Sequence, residues 1–177
     1  FLPQHLPTSS GLTVAELVEL GRFPWRGTWG KQQEEDKDII HKAIEQVGIS
    51  EYQQQYLEEL SGGERQRAWI AMLLAQQSPV MLLDEPTSAL DVAHQYELMS
   101  LLQTLNQETA QGMILILHDI NLAARYADHI VAMKQGQVLF QGPPSELMES
   151  QQLEALYGIP MSLIPHPQHD SKVAIVC

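Results

Sequence analysis

The sequence predicts an α/β fold, in which a parallel sheet follows an all-helical part. Residues 80–83 (VMLL) and 113–117 (MILIL) are continuous apolar runs of strand length, which is typical of strands buried on both faces. Asp91 is a suitable cap for the helix predicted between them. This strand–helix–strand order predicts a βαβ unit of a parallel sheet. From residue 13 to about residue 77, only helical patterns occur.

The helical part begins with two predicted helices. A capping box at Thr13 starts the first, a short one. Residues 21–27 are expected to form a loop with exposed aromatic side chains, either a surface for a partner or a local packing cluster. Residues 33–47 predict the second helix, and Gly48 terminates it. The acidic residues of its first turn, 34–36, are interpreted as a solvated face that suits the helix dipole.

Short elements are predicted for the rest of the chain. A helix is expected at residues 121–127. Strands at residues 130–133 and 138–140 flank a Gln-Gly turn, which is typical of a β-hairpin. Pro143 and the residues after it start a small C-terminal part that we expect to be helical.

Composition limits the classes of function. The chain has 177 residues, which suits one domain, and its 10 basic and 22 acidic residues give a formal net charge of -12. This charge argues against broad contact with nucleic acid or an anionic membrane, although not against a small phosphate site. The single Cys177 forms no internal disulfide, which favours a reducing compartment. No apolar run reaches the roughly 18 residues of a membrane helix, and no signal peptide is visible.

Residues 60–67 (LSGGERQR) predict a helix start that can hold an anion. Ser61 is a suitable cap for the first turn, and Glu64, three residues on, completes a capping box. Gly62 and Gly63 lack β-carbons, so a ligand can lie against their backbone. The free N–H groups of the first turn and the positive end of the helix dipole favour phosphate. The Ser-x-x-Glu pattern alone only caps most helices, whereas the whole octapeptide is far more specific.

Three further candidates stand where the predicted strands end. Asp84 and Glu85 follow the first strand, and His118 follows the second. Ligands of open α/β sheets bind beyond the carboxyl ends of the strands. An Asp there suits Mg²⁺, Glu85 can orient or deprotonate a water, and His118 can hydrogen-bond a γ-phosphate. Taken singly, Asp84 is more simply a turn cap and His118 a satisfied histidine at a strand end; the order and spacing of the residues together favour the chemistry.

The motifs, in this order, resemble those of ATP-binding-cassette (ABC) ATPases. Each motif of the second half of that family's domain has a counterpart here: the Q-loop glutamine at Gln4, the signature at residues 60–64, Walker B at residues 80–84, the catalytic glutamate at Glu85, the D-loop at residues 88–91 and the switch histidine at His118. The resemblance implies the C-terminal part of an ABC-type P-loop NTPase domain, with a RecA-like parallel sheet and an all-helical signature subdomain. It divides the chain into residues 1–77 (Q-loop and helical subdomain), 78–142 (RecA-like core) and 143–177 (C-terminal extension).

The resemblance also implies cofactors and residue roles. ATP and Mg²⁺ are expected, with Mg²⁺ held by Gln4 and, through water, by Asp84. Glu85 and His118 are the catalytic candidates. The signature residues are expected to contact the nucleotide of a second subunit: Ser61, Gly62, Gly63 and Glu64. The D-loop candidates are Ser88 and Asp91.

The partners follow from the same family. We expect a head-to-tail homodimer bound to an integral membrane permease at the cytoplasmic face of the plasma membrane, with a siderophore-binding protein engaged only indirectly and no nucleic acid. Residues 21–25, 117–126 and 157–161 are similar to the ATPases of iron–siderophore and vitamin B12 importers, above all those for iron(III)-hydroxamates. The predicted function is therefore ATP hydrolysis that powers iron(III)-siderophore uptake. A vitamin B12 or haem importer ATPase, a soluble ABC ATPase acting on DNA or ribosomes, and an inert fragment or interaction module stay open as alternatives.

One motif of the family is missing. The Walker A loop, G-x-x-x-x-G-K-[ST], cradles the α/β-phosphates, and no such pattern occurs among the 177 residues. The one Gly-Lys pair, Gly30-Lys31, is followed by Gln32 and has Trp25 where the first Gly belongs. The chain also has no initiator Met. We therefore expect the C-terminal part of an ABC domain whose front has been lost.

Overall fold

Residues 1–4, 6–7, 11–26, 33–167 and 171–177 are described by a computed structural model, and their secondary structure is mixed α/β, as predicted. The chain divides into two units, residues 1–116 and residues 117–177. The three-part division at residues 77 and 142 stays a prediction. No helix within the described ranges combines the length and apolar character that crossing a bilayer requires.

The first unit begins with the three predicted helices, together with short helical turns that were not predicted. In chain order the elements are α1 (Val14–Leu20), α2 (Phe23–Arg26), α3 (Glu34–Gln46), 3-10 turns at Ser50–Tyr52 and Leu57–Glu59, and α4 (Gly62–Ala75), of which α1, α3 and α4 are the predicted helices. The predicted capping box at Thr13 is present, since Thr13 N–H donates to Glu16 Oε2 over 2.8 Å and Glu16 N–H donates to Thr13 Oγ1 over 3.3 Å. α1, α3 and α4 pack on one another, and the apolar residues Ile40, Ala43 and Ile44 of α3 are buried.

The aromatic segment after α1 is a helical turn, not the predicted loop. α2 occupies most of it, and Gly27 lies outside the described residues, as do Gly30, Lys31 and Gln32. The Trp25 side chain is exposed, yet its Nε1 donates to the Gln76 carbonyl oxygen over 2.7 Å. At Gly21 a β-carbon would collide with the Met72 carbonyl oxygen, so this glycine allows the end of α1 to approach α4. These contacts tie the segment to the end of α4.

Asp36 corrects the interpretation of the acidic run as a solvated face. It is only 5% exposed, and its carboxylate binds Arg22 Nε and Arg26 Nε, each over 2.8 Å. Hydrogen bonds from Arg22, from the Gln33 N–H and from Arg26 lower the pKa of Asp36 to about 2. Arg22 also donates to the Ala75 carbonyl oxygen over 2.9 Å. The carboxylate therefore holds a buried charged cluster together at the C-terminal end of α4.

The predicted βαβ unit is present in the first unit. It consists of β1 (Val80–Asp84), α5 (Val92–Thr109) and β2 (Gly112–Ile116), and β1 and β2 pair in parallel. Leu2 lies along the other edge of β1, since its N–H donates to the Leu82 carbonyl oxygen over 2.8 Å and its carbonyl accepts from the Asp84 N–H over 2.9 Å. The predicted parallel sheet therefore gains a contact from the N-terminal segment.

Burial of β1 and β2 on both faces is wrong for this chain. Met81 and Leu83 of β1 are buried, because alternate side chains of a strand point to opposite faces and only one face is covered. The other face is open among the described residues, and four of its apolar side chains are 42–58% exposed: Val80, Leu82, Ile114 and Ile116.

The second unit contains the predicted helix and hairpin and one further hairpin. Its elements are α6 (Ile120–Tyr126), β3 (Ile130–Lys134), β4 (Gln137–Gly142), α7 (Pro144–Leu147), α8 (Ser150–Tyr157), β5 (Met161–Pro165) and β6 (Lys172–Val176). β3 and β4 are antiparallel, as predicted. The expectation of a helical C-terminal part is wrong beyond Gly158, which ends α8 at φ 75°, since β5 and β6 form a hairpin. The Asn121 amide holds β6 by exchanging hydrogen bonds of 2.8 and 3.1 Å with Ala174.

The open face of the sheet should make the isolated chain self-associate, because apolar sheet surface of this kind promotes aggregation. Leu82→Thr combined with Ile114→Thr should reduce light scattering and binding of a hydrophobic dye, and should leave the melting temperature nearly unchanged. Met81→Thr is the matched control on the buried face of β1, and we expect it to lower the melting temperature. A native chain that stays monomeric and binds no dye would contradict this reading of the face.

Candidate functional site

The start of α4 is built as the sequence predicts. Ser61 caps the helix: its N–H donates to Glu64 Oε2 over 2.8 Å, and the Glu64 N–H donates to Ser61 Oγ over 3.3 Å. Ser61 and Gly62 are exposed, and a β-carbon placed on Gly62 would meet no atom within 4 Å. The N–H groups of Gly62 and Gly63 lie in the first turn, where the helix offers them no acceptor. An anion could therefore approach this turn.

The Glu64 carboxylate is part of the helix cap. Hydrogen bonds from the Ser61 side chain, the Ser61 N–H and Tyr52 lower the pKa of Glu64. The same bond to Glu64, with a weaker one to Glu51, raises the pKa of Tyr52 to about 12, so its hydroxyl stays a donor. The ionised carboxylate is thus turned back onto the cap. Contact between Glu64 and a nucleotide stays a prediction.

Gln4 and Glu85 meet at the carboxyl end of β1, although 81 residues separate them. Gln4 Nε2 donates to Glu85 Oε2 over 2.6 Å. The pairing of Leu2 with β1 carries Gln4 to this place, and the Glu85 N–H donates to the Ile116 carbonyl oxygen over 3.2 Å. Glu85 has φ 46°, a left-handed conformation that is rare for residues other than glycine. Such strain often accompanies functional positions.

Oxygen-bearing side chains stand at this strand end, and a magnesium ion held by them stays a prediction. The amide nitrogen of Gln4 donates to Glu85, which leaves the amide oxygen of Gln4 as an acceptor. Asp84, the half-buried residue directly before Glu85, supplies a carboxylate. Mg²⁺ prefers such oxygen ligands and completes its shell with water and phosphate. Among the described residues, no three His, Cys, Asp or Glu side chains gather into a metal-holding group.

The turn after Glu85 is held by its own residues. Ser88 donates to the Glu85 carbonyl oxygen twice, from its N–H over 3.1 Å and from its hydroxyl over 3.0 Å. Asp91 caps α5 and accepts from the His94 N–H over 3.0 Å and from His94 Nδ1 over 2.8 Å. These bonds lower the pKa of Asp91. Both D-loop candidates therefore shape the backbone that follows Glu85.

Two glutamines that the sequence analysis did not single out also hold this turn. Gln66 of α4 is 7% exposed, and its Nε2 donates to the Pro86 carbonyl oxygen. Gln95 of α5 donates to the carbonyl oxygens of Thr87 and Leu90 over 3.1 and 3.0 Å. A signal for Gln66 exists in the sequence, because it stands four residues before the buried Ile70 and hence on the apolar face of α4.

His118 lies in the second unit, before α6. Its side chain is exposed, and its carbonyl oxygen accepts from the Tyr157 hydroxyl over 3.3 Å. Burial and, less strongly, the Asp119 charge raise the pKa of Tyr157, so it remains a donor. Asp119 caps α6 by accepting from the N–H groups of Asn121 and Leu122 over 2.7 and 3.1 Å. The backbone of His118 is thus held at its carbonyl oxygen, and contact between its side chain and a γ-phosphate stays a prediction.

A family model described as "ABC transporter" matches residues 1–88. The ferric enterobactin transport ATP-binding protein of Escherichia coli (strain K12) is 42% identical over 166 residues, 94% of this chain and 61% of that protein. The iron(3+)-hydroxamate import ATP-binding protein of Bacillus subtilis (strain 168) is 42% identical over 174 residues, 98% of this chain and 65% of that protein. The chain thus spans less than two thirds of the length of these relatives.

Solved structures show the same fold. A metal-chelate type ABC transporter in an inward-facing conformation superposes with a TM-score of 0.89 at 26% identity, covering 100% of this chain and 71% of that one. The dimeric structure of a bacterial ABC transporter cassette superposes with a TM-score of 0.63 at 32% identity, covering 80% of this chain and 59% of that one. These likenesses confirm the predicted fold class.

The Ser61 cap should stabilise α4 in a pH-dependent way. Ser61→Ala should lower the free energy of unfolding at neutral pH by about 1 kcal/mol, as is typical of a lost helix cap. Because Glu64 has a lowered pKa in the folded chain, its contribution is present above the unfolded pKa and is lost as the pH falls through the folded one. The cost of Ser61→Ala, measured by urea unfolding, should therefore shrink in acid.

The exposed Ser145 supplies the control, since Ser145→Ala removes the same hydroxyl from α7 and should leave the stability nearly unchanged. A cost of Ser61→Ala that grows in acid would contradict the role given to the ionised Glu64.

Proposed function

The chain belongs to the ABC transporter family, and we propose that it is part of the ATP-hydrolysing subunit of an importer for iron(III)-siderophores, of the hydroxamate type. The contact between Gln4 and Glu85 carries the ATPase part of the proposal, because it joins the family's Q-loop glutamine to its catalytic glutamate. The cargo is supported by the relatives, which are named for ferric enterobactin and iron(3+)-hydroxamate.

The chain's own residues supply the hydrolytic step. Glu85 orients the attacking water or accepts its proton through one carboxylate oxygen, while Gln4 holds the other. Asp84, through water, and the Gln4 amide oxygen would hold Mg²⁺. When bound with ATP, Mg²⁺ neutralises charge on the phosphates. His118 would hydrogen-bond the γ-phosphate.

A pair of subunits completes each nucleotide site in this proposal. Ser61, Gly62 and Gly63 of one subunit face the γ-phosphate of ATP that the other holds, in a head-to-tail arrangement. The open first turn of α4 and the likeness to a dimeric cassette support it. The pair would act on a membrane permease, from the cytoplasmic face of the membrane, and meet a siderophore-binding protein only through that permease. The net charge of -12 counts against nucleic acid as a partner.

A Walker A loop must come from outside these residues. We propose that it belongs to the part of the relatives' length that this chain does not span. A polypeptide in which a Walker A segment precedes Phe1 is called the full cassette below. The missing motif also favours a second candidate function for the chain alone, that of a catalytically inert interaction module.

The chain alone should not hydrolyse ATP, because none of its sequence motifs cradles the α/β-phosphates. Phosphate release with ATP and Mg²⁺ should stay at the background rate, and the full cassette should turn ATP over. Mg²⁺-dependent turnover by the chain alone that Glu85→Ala abolishes would contradict the prediction. A full cassette that never hydrolyses ATP would favour the inert module.

In the full cassette, Glu85→Gln and Ser61→Arg should fail at different steps. Glu85→Gln keeps the shape but accepts no proton, so hydrolysis should fall by about 10²–10⁴-fold, while the closed dimer persists. Ser61→Arg puts a bulky side chain where the γ-phosphate of the partner's ATP would lie, so the subunits should bind ATP without forming a dimer. Size-exclusion chromatography with ATP and Mg²⁺ should show a dimer for the first and a monomer for the second. Identical elution of the two variants would mean that these roles are wrong.

A further inference from the structure

Gln66 joins the signature helix to the turn that carries Glu85. We propose that it is a positioning residue that couples the two nucleotide sites of the dimer, an inference that rests on the proposed function. Its side-chain amide is the link, because it reaches from α4 to the peptide carbonyl of Pro86, the residue directly after Glu85.

The hydrogen bond of Gln66 is buried at both ends. Gln66 is 7% exposed, and Pro86 is buried as well. Water cannot readily replace a buried partner, so breaking this bond would leave the amide and the carbonyl unsatisfied. Pro86 has no backbone N–H, so its carbonyl oxygen is the one backbone group through which it can hydrogen-bond.

The position of Gln66 on α4 makes the link directional. Gln66 lies one helical turn after Gly62, where α4 begins. It is therefore one turn away from the residues proposed to contact a phosphate, Ser61 to Gly63, which we call the anion seat. The same turn is anchored by Arg67, whose Nη1 donates to the Val47 carbonyl oxygen over 3.1 Å. A helical turn transmits displacement as a rigid element. Movement of Ser61 against a phosphate therefore reaches Pro86 through Gln66.

The turn that receives this movement holds Glu85 in a strained conformation. Glu85 has φ 46°, and Ser88 fixes its carbonyl oxygen from the far side of the turn. Residues in such backbone conformations persist only when their surroundings hold them. A shift at Pro86 therefore changes the direction of the Glu85 side chain relative to Gln4.

In the proposed head-to-tail dimer, this link connects two different nucleotide sites. The signature of one subunit serves the nucleotide of its partner, whereas Glu85 serves the nucleotide of its own subunit. Gln66 lies between the two within a single chain. Binding of ATP at one site therefore alters the orientation of Glu85 at the other site, so that hydrolysis depends cooperatively on ATP.

The link is tested first in the chain alone, by amide hydrogen exchange at Ser88 and Leu90, whose N–H groups close the turn. Ser61→Ala should speed exchange at both amides by at least about twofold relative to the amide of Leu105, a buried residue inside α5 whose exchange is expected to require global opening. Gln66→Met matches the size of glutamine but removes the donor. In its background, Ser61→Ala should add nothing further.

Gln95→Met is the matched control, since Gln95 holds the same turn from α5, which carries no signature. There the effect of Ser61→Ala on exchange should remain. A Ser61→Ala effect that persists in the Gln66→Met background, or that both glutamine substitutions abolish equally, would overturn the proposal.

The coupling of sites is tested in the full cassette by the dependence of hydrolysis on ATP concentration. The native dimer should show a Hill coefficient clearly above that of independent sites. Gln66→Met should lower it to the independent value without changing ATP binding to the single subunit, a separation that general loss of stability does not produce. Gln95→Met should lower the maximal rate and keep the cooperativity.

The two proposals fail in different ways. A native full cassette that hydrolyses ATP without cooperativity, or a Gln66→Met variant with unchanged cooperativity, overturns the coupling and leaves the ATPase function standing. A native full cassette that binds no ATP overturns the proposed function and the coupling with it.

Discussion

The candidate site depends on main-chain hydrogen bonds along both edges of β1. Leu2 pairs with one edge through two bonds of 2.8 and 2.9 Å, and β2 pairs with the other. The first pairing delivers Gln4 to the strand end, and the second fixes the Glu85 N–H on Ile116. Side-chain chemistry at this end therefore rests on backbone geometry that is insensitive to most surface substitutions. The Gln4–Glu85 contact is a consequence of it, since a glutamine 81 residues away finds the carboxylate only through the sheet.

Helix α4 connects the other parts of the first unit. Its first turn is the proposed anion seat, and the carbonyls of its last residue, Ala75, and of the following Gln76 accept from Arg22 and Trp25. Asp36 pairs with the buried Arg22, whose charge would otherwise be costly to keep away from water. A buried ion pair adds little net stability compared with apolar packing, but it fixes the geometry of the groups that it joins. The far end of α4 is thus held by a directional cluster, which suits a helix whose start must be placed accurately.

Features encoded by neighbouring residues could be predicted from the sequence. The capping boxes at Thr13 and Ser61 and the β3–β4 hairpin depend on residues a few positions apart, and all are present. The partners of Asp36 and Gln66 could not be predicted in this way, because they are set by how helices pack. The open sheet face does not follow from the apolar runs alone, because an apolar run shows that a strand can be buried, not that a covering layer lies within the described residues. It agrees instead with the exposed apolar surface that is expected beside these strands when the front of the domain is missing. The motif roles came from resemblance to a family, and local physics alone gave only a cap, a strand end and a turn.

The anion seat of this chain suits recognition of a phosphate that is already held. It offers backbone N–H groups and a helix dipole, whose attraction for an anion is modest at an exposed surface. The ionised Glu64 stands in the same turn, and the whole chain carries a net charge of -12. Such a surface attracts free ATP weakly, since both charges oppose the approach of a polyanion. In the proposed function, a Walker A loop holds the nucleotide strongly, and the first turn of α4 contributes once the γ-phosphate is held there. What these residues would supply to an ABC ATPase is therefore closure of the site and orientation of the water, rather than capture of the nucleotide.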